Sequence, residues 1–203
     1  MSINTIINLL DIIILENERV LLRLLKQNDL ENLLNFALSE PEIWKYSLIA
    51  VNGKEGLEDY IKMALAAKET QKEFPFIVFD KLSGKYAGST RFYDIQTNYK
   101  SLQVGYTWYG KDFQGTGLNK HCKFLLLQYA FETLQMERVE FRADNNNKRS
   151  IAAMKSIGCI VDGVLRSNVP ISTGGRRDSI ILSILKEEWE NKIKEELKSK
   201  LQY

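Results

Sequence analysis

Hydrophobic and polar residues alternate along this chain at two periods, and each change of period marks an element. Period-two runs rich in β-branched and aromatic residues predict strands at Glu18–Leu25, Phe74–Asp80, Tyr86–Ile95, Leu102–Tyr109, Arg138–Arg142, Cys159–Val169 and Arg177–Leu185. The turn Leu82-Ser-Gly-Lys85 joins two of them into a hairpin. Helical spacing predicts a helix from an Asn28 or Asp29 cap to about Ala37, and another over Gly53–Lys68 with Leu57, Tyr60, Ile61, Ala64 and Leu65 on one stripe. A third helix carries Leu118, Cys122, Leu125, Leu126, Tyr129 and Ala130 and ends near Gln135. A short helix opens within Asp144–Ser150 and stops at Gly158, a residue that accepts the left-handed turn after a helix. In the charged tail Lys186–Gln202, Trp189, Ile193 and Leu197 fall at i, i+4, i+8 and predict a helix with one packed stripe. The succession β, α, α, three antiparallel strands, then α-β-α-β-β-α predicts an α+β protein. Its central sheet is mixed and mostly antiparallel, with helices on its faces.

Composition narrows the class. With 203 residues, 44% of them apolar, the chain can build one sizeable domain, expected over 15–203. A net charge of +2 with scattered basic residues argues against a nucleic-acid partner. The apolar run Ile6–Leu15 is broken by Asn8 and Asp11 and is too short to span a bilayer, so no membrane association is expected. It lacks the flanks of a signal peptide, and residues 1–14 read as an extra strand or arm. That arm could pack on its own domain or on a second copy, which leaves a homodimer open. Cys122 and Cys159 are expected as buried free thiols in a reducing cytoplasm, and one histidine with two distant cysteines gives no metal site.

The stretch Gly105–Gln128 carries the most chemistry. A strand passes through Gln114-Gly-Thr-Gly117 into a helix start, where backbone N–H groups lack intrahelical partners and the dipole is positive. Gly115 and Gly117 let a phosphate come close to those N–H groups, and Lys111, Lys120 and Lys123 add positive charge nearby. A plain tight turn is the alternative reading of the two glycines. No Gly-Lys-Ser/Thr ending makes this a P-loop, and no third glycine follows at dinucleotide-fold spacing.

Several motifs in order give the chain a recognisable likeness. Gln114-Gly-Thr-Gly117-Leu-Asn119 matches Gln/Arg-x-x-Gly-x-Gly/Ala except at its last place. Asn147-Lys-Arg-Ser150, then Gly158, follows, and Asp162-Gly-Val-Leu-Arg166, Gly175-Arg-Arg-Asp178 and Glu188-Trp189 close the pattern. Over about residues 15 to 190 the chain resembles the GNAT superfamily of acyl-CoA-dependent N-acetyltransferases, in its RimJ/RimL-like branch. The resemblance implies acetyl-CoA as cosubstrate, no metal, and an amine acceptor, either a protein N-terminus or a small molecule. It implies two parallel strands, Leu102–Tyr109 and Arg138–Arg142, that splay at a bulge near Gly105 to admit the pantetheine arm. Pyrophosphate would rest on the N–H groups of Gly115, Thr116, Gly117, Leu118 and Asn119 beside Gln114. Thr107 and Trp108 would contact the cofactor and Asn147 would hydrogen-bond the pantetheine.

The proton handlers are where this chain departs from the family. Met154 stands where many members have Tyr, Gln103 where many have Glu, and Ser167, Asn168 and Val169 supply no carboxylate. Ser150 remains as candidate proton donor to the leaving sulfur, or as a helix-start hydrogen bond. The base is unassigned, with a water chain through Tyr106 or Asp94 as one route. His121 reads as surface or phosphate-proximal. Trp44, Arg91 and Tyr93 read either as an acceptor pocket or as core and hairpin surface. Two functions therefore stand: acetyl transfer from acetyl-CoA to a primary amine by direct attack, and a non-catalytic acyl-CoA-binding protein that has lost its acid–base residues.

Overall fold

The computed structural model describes residues 13–49, 51–171 and 174–201. Its strands are β1 (Ile14–Glu16), β2 (Val20–Leu24), β3 (Phe74–Asp80), β4 (Lys85–Gln96), β5 (Ser101–Tyr109), β6 (Arg138–Asp144), β7 (Ile160–Pro170) and β8 (Arg176–Leu185). They form one sheet in the order β1-β2-β3-β4-β5-β6-β8-β7, in which β5 and β6 are the parallel pair. The expected mixed sheet is therefore present. Of the N-terminal arm, Ile14–Glu16 adds an edge strand to β2, while residues 1–12 lie outside the described part.

Helices α1 (Leu30–Ser39) and α2 (Gly53–Glu69) cover one face, and α3 (Leu118–Gln128), α4 (Lys148–Ser156) and the tail cover the other. The tail turns through Lys186–Glu188, a wider π turn at Trp189–Ile193, and Lys194–Ser199. Its predicted stripe of Trp189, Ile193 and Leu197 is buried. Two hydrophobic clusters result: a large one beneath α3, α4 and the tail, and a smaller one between the sheet and α1–α2 that contains Trp44 and Trp108.

One irregularity positions everything that follows. On β5, Leu102 and Val104 face the α3 layer, and so does Tyr109, whose hydroxyl meets Cys122. An even-to-odd change on one strand needs an extra residue, and Tyr106 supplies it at φ 49°. Gly105 and Tyr106 consequently face the α1–α2 side together, where a Cβ on Gly105 would stand 2.7 Å from the Tyr93 ring. The opposite strand answers with Asp94 at φ 47° and register shifts at both places. Parallel pairing of β5 with β6 stops at Gln103–Glu140, and beyond it the strands part.

Candidate active site

A cavity of about 1040 Å³ runs from the Gln114–Gly117 turn, through the gap between β5 and β6, to the loop at Glu42–Leu48. At its first end, Gly115 (φ 77°) and Gly117 (φ 86°) hold left-handed conformations, and nothing lies within 4 Å of a Cβ built on either. The glycines serve the backbone path and leave open space above it. Among the described residues, no backbone acceptor takes the N–H groups of Gly115, Thr116, Gly117 or Asn119. The helix start therefore presents four backbone donors without backbone partners at the positive end of its dipole.

Gln114 turns back and donates to the Tyr109 carbonyl at 2.7 Å, while its side-chain oxygen accepts from Arg149. Arg149 and Lys120 bring their side chains to this end of the cavity. Lys111 does not; it pairs with Glu42 at 3.1 Å. Nor does Lys123 supply surface charge, since it is buried under the sheet. The expectation of three lysines around the turn is corrected to Lys120 plus Arg149. Arg149 occupies an unspecified place of Asn147-x-x-Ser150, so no pattern pointed to it. The side chains of Thr116 and Leu118 turn away, Thr116 onto the Phe113 carbonyl and Leu118 into the core.

Asn147 caps α4 by accepting the Ser150 N–H at 3.1 Å, and both residues line the cavity. The Ser150 hydroxyl makes no hydrogen bond among the described residues, so only its backbone serves the helix start. Thr107 sits in the gap between the strands and accepts from Lys123 Nζ at 2.7 Å. Trp108 is a wall: its ring stacks obliquely on Trp44 at 5.0 Å, and its indole N–H reaches the Tyr60 hydroxyl at 3.3 Å.

The far end is aromatic with polar insertions. Trp44, Tyr60, Tyr93, Tyr106 and Trp108 line it, and the Trp44 indole nitrogen is buried without a partner among the described residues. Arg91 lies behind this wall, 4.1 Å from the Tyr106 ring centre and paired with Glu73. Burial opposes its charge, but Tyr60 and Glu73 raise its pKa above the ordinary arginine value. Burial pushes the Tyr93 and Tyr106 hydroxyls up as well, so neither is an anionic base near neutrality. Gln103 donates to Asp94 Oδ2 at 2.6 Å, and Gln96 donates to Oδ1 at 2.7 Å. Of the carboxylates on the cavity wall, Glu42 pairs with Lys111 and Asp144 accepts the Asn146 N–H, whereas Asp94 has no cation partner among the described residues.

His121 is neither surface nor phosphate-proximal. It is buried on the outer flank of α3, against Asn17 (3.1 Å) and Glu18, and burial lowers its pKa. Among the described residues there is no cluster of three or more His, Cys, Asp and Glu side chains able to hold a metal, and no helix is long and apolar enough to cross a membrane.

The sheet is split at one parallel pair with an open helix start beside the split, and the chain belongs to the GNAT acetyltransferase family, whose domain model matches residues 19–160. It is 27% identical, over 86% of its length and 95% of the relative's, to YdaF of Bacillus subtilis (strain 168), provisionally named a ribosomal N-acetyltransferase. A crystal structure from T. thermophilus, provisionally named an acetyltransferase, is 30% identical with a TM-score of 0.84, covering 93% of this chain and 97% of that one. The self-immunity acetyltransferase MccE, solved with acetyl-CoA and AMP, shares the fold at 23% identity and a TM-score of 0.73, over 83% of this chain and 93% of its own.

Proposed function

We propose that this protein is a RimJ/RimL-like N-acetyltransferase that transfers an acetyl group from acetyl-CoA to a primary amine by direct attack in a ternary complex. The acceptor is a protein N-terminus or a small amine. The observation that carries this reading is the continuity of one cavity from the open N–H cradle at Gly115–Asn119 to the aromatic wall at Trp44 and Tyr93. The name of YdaF and the acetyl-CoA held by MccE support the same reaction class.

Each stretch of the cavity has a task. The Gly115, Thr116, Gly117 and Asn119 N–H groups, with Lys120 and Arg149, hold the pyrophosphate; Asn147, whose side-chain oxygen is committed to Ser150, offers its NH₂ to the pantetheine. When bound, acetyl-CoA supplies an activated acyl thioester. Backbone N–H groups freed where β5 leaves β6 face the acyl oxygen and stabilise developing negative charge. Asp94, held by Gln103, attracts the amine and accepts its proton as the carbon–nitrogen bond forms. Ser150 presents a free hydroxyl toward the sulfur. The reduced thiols Cys122 and Cys159, both buried, support a reducing cytoplasmic setting.

Thiol release from acetyl-CoA, measured with a panel of amines and N-terminal peptides alongside calorimetric CoA binding, tests the proposal. Turnover on any acceptor supports it. Binding without turnover across the panel would favour the CoA-binding alternative, and no binding would overturn both.

A further inference from the structure

Lys123 is a buried cation for which the mechanism above has no use. It is 5% exposed, on the second turn of α3, and its ammonium points at the place where the sheet opens. Its nitrogen donates to Thr107 on β5 at 2.7 Å and to Thr90 on β4 at 3.2 Å, and lies 5.9 Å from the Phe141 ring centre on β6. It therefore spans the mouth of the split from below. Among the described residues no carboxylate is bonded to it, which for a lysine at this depth is costly unless the group has work to do. The two threonine hydroxyls stand 2.8 Å apart. Thr107 Oγ accepts from Lys123, shares a hydrogen bond with Thr90 in which either hydroxyl can donate, and reaches the Gly105 carbonyl only at 3.4 Å, a long bond from which its proton can turn into the cavity it lines.

We propose that Lys123 and Thr107 form a proton relay to the sulfur that leaves during acyl transfer, an inference that rests on the acetyltransferase reading above. As the carbon–sulfur bond breaks, its electron pair stays on sulfur. Thr107 Oγ gives sulfur its proton, and Lys123 Nζ gives one to Thr107 Oγ. Lys123 is left neutral and regains a proton from solvent through the cavity, which balances the proton released by the amine at the other end. Ser150 can orient the sulfur but has no hydrogen-bonded group behind its hydroxyl to replace a lost proton. Lys123 takes over the task for which Met154 is unsuited.

The surroundings suit the role. Burial lowers the Lys123 pKa to about 8, close to the roughly 8.5 of an ordinary thiol, so transfer between them is nearly level. The titratable groups facing it are the thiols of Cys122 on its own helix and Cys159 after α4. Burial holds these protonated up to about 11 and about 12, so both are neutral where Lys123 titrates. The facing residues of β4, β5 and β6 (Thr90, Thr107 and Phe141) do not titrate.

The test needs no acceptor. Free CoA is bound to the protein and the thiolate absorbance is followed against pH, for wild type, Lys123→Met, Lys123→Arg and Thr107→Val. The wild type is expected to hold the bound thiol about one unit below its value in Lys123→Met, which loses the nearby cation, and in Thr107→Val, which loses the hydrogen bond to the thiolate. Lys123→Arg should keep the lowered thiol pKa yet lose turnover, because a guanidinium keeps its proton. With an amine acceptor, Lys123→Met should lower kcat about a hundredfold with little change in the KM for acetyl-CoA. Equal thiol pKa values in all four proteins would overturn the relay while leaving the acetyltransferase reading intact. Failure of the wild type to bind CoA would overturn both. Thr107→Val keeps the test decisive if the lysine variants fold poorly.

Discussion

Gln103 Nε2 donates to Asp94 Oδ2 at 2.6 Å across the β4–β5 pair, and the bond fixes which way the amide faces. A carboxylate only accepts, so the NH₂ must point at it, and Gln103 Oε1 is left buried with no partner among the described residues. A buried acceptor left unsatisfied costs about 1–3 kcal/mol, so this strand tolerates a penalty to hold Asp94 in place. Asp94→Asn should lower kcat about a hundredfold and leave the KM for acetyl-CoA nearly unchanged. Adding Gln103→Glu to that variant returns a carboxylate beside the same position and should recover part of the rate. Steady-state kinetics of both would check this, and an Asp94→Asn enzyme as fast as wild type would remove Asp94 from the reaction.

Gly117 and Gly84 separate strain from binding. Both hold positive φ (86° and 67°), and neither has an atom within 4 Å of a built Cβ. Alanine at either should cost about 1–2 kcal/mol through backbone strain alone. Gly117→Ala should also weaken CoA binding more than tenfold, because its methyl enters the anion's space, whereas Gly84→Ala in the β3–β4 turn should bind normally. Thermal melts paired with calorimetry give the comparison.

Lys123 should make the fold pH-dependent in an unusual direction. A lysine whose folded pKa is depressed to about 8 disfavours the folded state while it is charged. That cost is full below pH 8 and disappears as pH rises to the unfolded value near 10.4. Lys123→Met should therefore be more stable than wild type at pH 7, by on the order of 2–3 kcal/mol, with the gap closing toward pH 10.5. The difference between the two proteins isolates Lys123 from Cys122 and Cys159, whose raised pKa values lower stability over the same range. Guanidinium melts from pH 6.5 to 10.5 would show it.

Asp29 gives the opposite sign. Burial opposes its charge, but the Arg23 guanidinium (2.8 and 2.6 Å), the Lys26 N–H and the Asn32 amide together pull its pKa below the ordinary value. Its contribution is complete above the unfolded pKa near 4 and is lost as pH falls through the folded one. Asp29→Asn should cost about 3 kcal/mol at pH 7 and flatten the acid limb of stability below pH 4. Urea melts between pH 2.5 and 7 test both parts.

Trp44→Phe should be neutral or slightly stabilising, because it removes a buried N–H that has no partner while keeping an aromatic against Trp108. Trp44→Ala should cost about 3 kcal/mol and widen the range of acceptors turned over. Denaturation and an acceptor panel measured on both variants separate packing from selectivity.

Much of this was legible in the chain. Each strand and helix carried its own period, and the turn at Gln114–Gly117 announced itself by glycines that only a left-handed backbone needs. What stayed hidden depended on contacts between distant segments. Lys123 reads as one more lysine near a phosphate site, because a helix pattern cannot show that this position meets Thr107 and Phe141. Asp94 is inconspicuous until a strand nine residues on brings Gln103 beside it. His121 went to the flank because Asn17 and Glu18 cover it, and nothing in its own neighbourhood foretold that.

The extra residue at Tyr106 acts as a phase shift in β5. Up to Val104 the strand addresses one helical layer with its even positions; from Thr107 onward it does so with its odd ones. Drawing Tyr106 into regular alternation would leave the sequence of the strand intact yet exchange its two audiences beyond that point. Thr107 would face Tyr60 and the aromatic wall, Trp108 would be driven toward Lys123, and the relay and the acceptor wall would be lost in one stroke. The backbone conformation of this one residue is therefore as consequential as the identity of its neighbours.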